Sequence, residues 1–307
     1  MKKINRVYIS GLGAVGCVYA SVIQDAGGVV LSVIADNERI RRYREEKITI
    51  NGKLYDFSYI TPDSAAEPAD LILIAVKQNS LDESVSAIKK FVGSDTIILS
   101  LLNGISSEEI IAGTYGMERI LRSFVVGIDS VREGTNVMFS RLGRIVFGAD
   151  EGSGGNDKVT AVKEFFDRAG IGYTIPDDII REQWWKFMMN VGINQVSAIL
   201  RAPYGVFHNI KEAQELLAMA SMEVIAVAEK KGIKLTTADI EQHLEIFKTL
   251  ASEGKTSMLQ DVEAGRKTEV EIFSGAVMEM GKEYVIHTPV NDMLFRMIRT
   301  IEQMKGA

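Results

Sequence analysis

A chain of 307 residues with 46% apolar and 25% charged positions and only 5 prolines can bury a sizeable core, which excludes disordered, collagen-like and mucin-like chains. Its 35 basic and 41 acidic side chains leave a net charge of -6, so neither nucleic acid nor a membrane surface is an expected partner. The single cysteine, Cys17, cannot form an internal disulfide, and His208, His243 and His287 lack metal-ligand spacing; with no leader or apolar span visible, a metal-free cytoplasmic protein is expected.

In chain order the first half alternates β-rich and helical runs: RVYI, a glycine turn and a helix, VVLSVIAD, LILIAV at 71–76 and TIILSLL at 96–102. This is βαβ grammar, and the continuously apolar runs fit a parallel sheet covered on both faces, so an α/β Rossmann-type doubly wound N-terminal domain is expected. Over 120–148 the runs ILRSFVVGIDSV and VMFSRLGRIVFGAD, joined by a turn at EGTN, read as antiparallel strands closing that sheet. EGSGGND at 151–157 reads as a surface loop, 158–169 as a helix and GYTI as the last strand. From 178 onward β signals nearly vanish. Helical periodicity runs through 179–200, 211–231, 239–263, 269–284 and 290–304, which predicts an all-α C-terminal domain. Thr288 and Pro289 mark the start of the last helix. Its apolar helices are either core or dimer surface, which leaves a homodimer open.

Residues 11–16 read GLGAVG, directly after the strand RVYI and directly before the helical run CVYASVIQ. Gly11 permits a tight turn, Gly13 lets the backbone approach a pyrophosphate and Gly16 lets helix and strand pack closely. With Leu12, Ala14 and Val15 they form a phosphate-binding turn whose helix N-terminal amides face the phosphates. Cys17, one residue later, reads as a small buried side chain. Asp36, at the end of the second strand, stands where an acid accepts the ribose hydroxyls of NADH. Arg39, Arg41 and Arg42 follow and are able to bind a 2'-phosphate or to form a solvated helix face balanced by Glu38, Glu45 and Glu46, so the choice of dinucleotide stays open. Residues 1–177 are therefore assigned to dinucleotide binding and 178–307 to the substrate and catalysis.

In WWKFMMNVGINQVSAIL at 184–200, Lys186, Asn190 and Asn194 recur every four residues and share one helical face. An ammonium in a partly dry cleft can protonate a carbonyl oxygen as hydride reaches the carbon, while asparagines donate and accept without added charge. Further on, TSMLQDVEAGRKTEVEIFSG at 256–275 carries Ser257 and Asp261, breaks near Gly265 and restarts at Thr268. Thr268 with Glu271 has capping-box spacing, which puts Glu269 in a first helical turn, where it stays ionised and able to hold Lys186.

GLGAVG, Val76 with Lys77, LLNG at 101–104, WWKFMMNVGIN and SMLQDVEAGRKTEVEIFSG together resemble the ketopantoate reductase family, in order and spacing across almost the whole chain. The resemblance implies hydride transfer from NADPH to the keto carbon of 2-dehydropantoate, giving pantoate on the route to pantothenate and coenzyme A. It further implies Lys186 as general acid, Asn190, Asn194 and Ser257 on the substrate, Glu269 orienting it, and Lys77 and Asn103 beside the nicotinamide and substrate, with the site in a cleft between the domains. One position departs from the family. Members that use NADPH usually carry arginine at the end of the second strand, where this chain has Ala35 or Asp36, so NADH is the competing cofactor. The alternative activity is an NADH-dependent D-2-hydroxyacid dehydrogenase of the same fold acting on another 2-keto acid. A dinucleotide sensor without catalysis would need the glycines but not Lys186.

Overall fold

Alternation along the strands builds the layers of the first unit. In β1 (Arg6–Ser10), Val7 and Ile9 enter one buried cluster and Tyr8 the other. In the Leu71–Ile74 strand, Leu71 and Leu73 join the first cluster and Ile72 and Ile74 the second, so both sheet faces are covered. The computed structural model describes residues 3–150, 152 and 154–304; residues 1 and 2 of the N-terminal stretch, and 151 and 153 of the glycine-rich loop, lie outside the described residues. The chain divides into two units, Met1–Ile179 and Ile180–Ala307.

In the first unit β1 is followed by β2 (Val30–Ile34), β3 (Ile48–Ile50), β4 (Lys53–Tyr55), β5 (Tyr59–Ile60), β6 (Leu71–Ile74), β7 (Ile97–Ser100), β8 (Ile120–Val126), β9 (Val131–Glu133), β10 (Asn136–Met138), β11 (Arg144–Gly148) and β12 (Tyr173–Thr174). Its helices are α1 (Ala14–Ala26), α2 (Asn37–Glu46), α3 (Leu81–Ala87), α4 (Ser107–Tyr115) and α5 (Asn156–Ala169). An eight-stranded sheet runs β12-β11-β8-β7-β6-β1-β2-β5, with α1, α2 and α5 contributing to one cluster and α3 and α4 to the other. Strand order reverses at β1, which lies between β2 and β6, all parallel. Doubly wound sheets take ligands at such a switch point, outside the carboxyl ends of the strands.

The segment 120–148 departs from its expected pairing. β8 runs parallel to β7 and only β11 is antiparallel to it. The hairpin at EGTN belongs instead to a second sheet, β4-β3-β10-β9, where β10 lies parallel to β3 with Asn136 opposite Thr49. Strands β3 and β4 went unread in the sequence. Their signal was the Asn51–Gly52 turn, both residues at positive φ (47° and 77°), a spacing that closes two-residue hairpins.

The second unit is helical: α6 (Ile179–Leu200), α7 (Tyr204–Asn209), α8 (Lys211–Lys230), α9 (Thr237–Lys248), α10 (Ser257–Glu263), α11 (Ser274–Tyr284) and α12 (Pro289–Met304). The single helix expected over 239–263 is two helices, because the intervening carbonyls serve another element. Ser252 and Gly254 accept the Gly205 and Tyr204 amides at the start of α7, each at 2.9 Å. The helix expected over 269–284 begins as a 3-10 turn, Val270–Ile272, before α11. Pro289 opens α12, and the Val290 and Asn291 amides donate to the Glu223 carboxylate of α8 at 2.8 and 2.9 Å, which caps the helix from outside. No helix among the described residues is long and apolar enough to cross a membrane.

Candidate active site

At the carboxyl end of β1, Gly11 takes φ +100°, and a side chain there would meet Val76 Cγ1 at 2.7 Å and the Ala75 carbonyl at 2.8 Å. A Cβ on Gly16 would overlap the Gly11 carbonyl oxygen, so both glycines are required by the turn itself. Gly13 differs. Its nearest neighbour would be Ala75 O at 3.6 Å, an ordinary contact, so packing within the chain does not demand glycine there. The missing side chain leaves open backbone over the N-terminus of α1, which has no side-chain cap. Those amides and the positive end of the helix dipole suit a phosphate, so the turn fits a dinucleotide pyrophosphate. Leu12 is buried in the core, and Ala14 and Val15 begin α1 half-buried, so of these three it is the backbone that a phosphate would meet. Cys17 is fully buried, its thiol pushed up to about 11 chiefly by burial, which removes it from redox chemistry.

Lys77 follows the carboxyl end of β6, which neighbours β1, and Asn103 follows that of β7, one strand further out. Lys77 is exposed and precedes a 3-10 turn, Gln78–Ser80; Asn103 is half-buried before Gly104, which turns at φ +93°. Asp36 ends the β2 crossover as the N-cap of α2, its Oδ1 accepting the Arg39 amide at 2.7 Å. Arg39 also reaches α3, where Glu83 accepts from Nη1 at 2.7 Å and from Nη2 at 3.5 Å. Glu83 lies 44 positions from Arg39, and no local pattern would have found it.

In the second unit Lys186 is buried at 7% exposure, between Trp185 and Phe187 on α6. Asn190 and Asn194 follow on the same face, and hydrogen bonding fixes their orientation. The Met258 amide and the Ser257 hydroxyl both donate to Asn194 Oδ1, at 3.3 and 3.2 Å, so Asn194 Nδ2 points the other way and donates to Asn190 Oδ1 at 3.2 Å. A backbone N–H can only donate, which settles both amides. With its Oδ1 turned to Asn194, Asn190 points its amide nitrogen the other way, one helical turn from Lys186. Thr256 holds this network in place. It is buried, accepts the Leu259 amide as N-cap of α10 at 3.2 Å, and donates to Ser197 of α6 at 3.1 Å. Thr256→Val is expected to cost about 1–2 kcal/mol of stability through the lost cap, read as a lower urea midpoint, and to raise KM more than it lowers kcat.

Glu269 is half-buried at the head of the Val270–Ile272 turn rather than in a first α-helical turn, and the expected capping box is absent. The Thr268 hydroxyl donates to Glu302 of α12 at 2.7 Å, as does the Thr268 amide at 2.8 Å. Glu271 instead accepts from Arg299 of α12 at 2.9 Å, and Arg299 also pairs with Glu302 at 3.0 Å. The residues on both sides of Glu269 are thus held by the last helix. Among the described residues no group of three histidine, cysteine or acidic side chains gathers to hold a metal ion.

The family model described as Ketopantoate reductase PanE/ApbA matches residues 7–152, and its C-terminal counterpart, Ketopantoate reductase PanE/ApbA C terminal, matches 178–302. The chain belongs to the ketopantoate reductase family. This ketopantoate reductase family member is 29% identical over 308 residues to the 2-dehydropantoate 2-reductase of Pyrococcus horikoshii, covering 98% of this chain and 99% of the relative. Among solved structures it is similar to the 2-dehydropantoate 2-reductase from Geobacter metallireducens at 25% identity and TM-score 0.82, covering 96% of this chain and 99% of that one. Its fold is also that of a D-mandelate dehydrogenase determined with NADH and anilino(oxo)acetate, at 22% identity and TM-score 0.88, covering 98% and 99% of the two chains. As a ketopantoate reductase family member it is an oxidoreductase that acts on a keto/hydroxy couple with a nicotinamide dinucleotide.

Proposed function

We propose that this chain is a 2-dehydropantoate 2-reductase that uses NADH. The observation that carries the substrate reading is the ordered amide relay on α6: Met258 fixes Asn194, Asn194 fixes Asn190, and Asn190 offers donors beside the only buried lysine on that face. Residues 1–177 bind the dinucleotide at Gly11, Leu12, Gly13, Ala14, Val15, Gly16, Asp36, Lys77 and Asn103, and 178–307 supply the substrate groups. When bound, the reduced nicotinamide supplies a hydride to the keto carbon. Lys186 Nζ gives a proton to the keto oxygen, so charge never accumulates on it. Asn190 donates to the substrate's carboxylate, Ser257 and Asn194 hold its hydroxyl end and Glu269 orients the molecule, which turns binding into alignment.

Asp36 supports NADH, since a carboxylate at the end of β2 accepts ribose hydroxyls and repels a 2'-phosphate. The same observation favours one second reading, an NADH-dependent D-2-hydroxyacid dehydrogenase acting on another 2-keto acid. The test follows loss of reduced-nicotinamide absorbance with 2-dehydropantoate, in parallel with NADH and NADPH. Turnover is expected with both and a higher kcat/KM with NADH. Silence with both, while dinucleotide still binds, would hand the assignment to the second reading, and a panel of other 2-keto acids would name the substrate.

A further inference from the structure

The four arginines of α2 are not equivalent in the folded chain, and the last, Arg44, rests over the Tyr59 ring at 5.9 Å. At about 100° per residue, Arg41 lies on the opposite side of α2 from Arg39, and the Arg42 guanidinium rests over the Tyr43 ring at 5.4 Å. Arg39 alone returns to the β2 end, where Nη1 sits 3.3 Å from Asp36 Oδ2. That is where the second ribose hydroxyl of a dinucleotide lies in a βαβ turn, so Arg39 is the cation on hand for a 2'-phosphate. It is already engaged. Glu83 takes both terminal nitrogens of the guanidinium, at 2.7 and 3.5 Å. Glu83 is itself held in place, because the next residue, Ser84, shares a buried hydroxyl–hydroxyl bond of 2.7 Å with Ser10, the last residue of β1. The backbone that carries Glu83 is thereby anchored to the strand that leads into the glycine turn.

We infer that Glu83 is a specificity-determining residue of this chain: by holding Arg39 between two carboxylates it denies a 2'-phosphate its cation and selects NADH over NADPH. The inference rests on the reading of residues 11–16 as a dinucleotide site. A phosphate entering here has to displace Glu83 from Arg39 and sit near Asp36 as well, two repulsive terms that a 2'-hydroxyl does not meet. Glu83→Gln keeps the side-chain shape and removes the charge that competes for Arg39.

The test is calorimetric titration of purified protein with NADH and with NADPH, which reads binding without turnover. Glu83→Gln is expected to tighten NADPH by about tenfold, the worth of one charge-assisted hydrogen bond made available, with NADH affinity unchanged. Asp82→Asn removes the same charge one residue away without touching Arg39 and is expected to change neither affinity. Adding Arg39→Met to Glu83→Gln is expected to abolish the gain. An unaltered NADPH affinity in Glu83→Gln, or an equal gain in Asp82→Asn, overturns the inference and reduces the effect to net charge. Failure of the unmodified protein to bind either dinucleotide is a different outcome, since it removes the dinucleotide site and the inference with it.

Discussion

Lys186→Met is expected to lower kcat by roughly 10²–10⁴-fold, the span of a lost general acid, with dinucleotide affinity unchanged. Methionine is the informative replacement. Lys186 is 7% exposed among Trp184, Phe187 and Met188, so its methylene stem is part of the packing, and alanine would open a cavity alongside removing the ammonium. Methionine fills the same channel and carries no proton to give. Steady-state kinetics at saturating dinucleotide separate the outcomes: a fall in kcat at nearly constant KM marks loss of the proton donor. Full turnover in Lys186→Met would move the acid to another residue and dismantle the mechanism proposed above.

The second expectation concerns stability in acid and centres on His243 of α9. The imidazole is fully buried, packs on Trp185 at 4.3 Å between ring centroids, and neither ring nitrogen makes a hydrogen bond among the described residues, although the Trp185 backbone lies nearby. Burial, partly offset by Asp239, pushes its pKa down from 6.5 to about 4. The sign follows from which state takes the proton. Below pH 6.5 the unfolded chain protonates this histidine and the folded chain does not, so stability falls with pH until about 4 and is then flat with respect to this group. The difference amounts to about 3 kcal/mol. His243→Leu removes the titration, so between pH 7 and pH 4 the unmodified protein is expected to lose about 3 kcal/mol more than the variant in urea unfolding. Both tryptophans, Trp184 and Trp185, stand on α6, so their fluorescence reports the unit that contains His243. Parallel losses in the two proteins would assign the acid sensitivity to carboxylates instead.

What the sequence disclosed depends on how far each interaction reaches along the chain. GLGAVG declares its turn within six residues of a strand and a helix, and the required positive φ at Gly11 and the close approach at Gly16 are both local. The shared face of Lys186, Asn190 and Asn194 follows from helical spacing alone. Misreadings arose where a distant partner took over a group that local spacing had assigned. Thr268 looked like the first half of a capping box, but its hydroxyl and amide go to Glu302, 34 residues on. The EGTN hairpin looked continuous with the main sheet, yet β10 pairs with a strand near residue 49, which no pattern within 120–148 encodes. The gap between α9 and α10 exists because Ser252 and Gly254 serve α7, a demand set by an element upstream. The Ser257–Asn194 contact likewise joins residues 63 apart; the family resemblance set both residues on the substrate but did not pair them with each other.

The hold of α12 on the segment around Glu269 bears on the order in which parts of the chain are completed during synthesis. The glycine turn of residues 11–16 leaves the ribosome well before Arg299 and Glu302 of α12. Until they do, Thr268 lacks its acceptor and Glu271 its guanidinium. The turn that carries Glu269 therefore gains its outside supports only once α12 has been made, later than the strand and helix that frame residues 11–16.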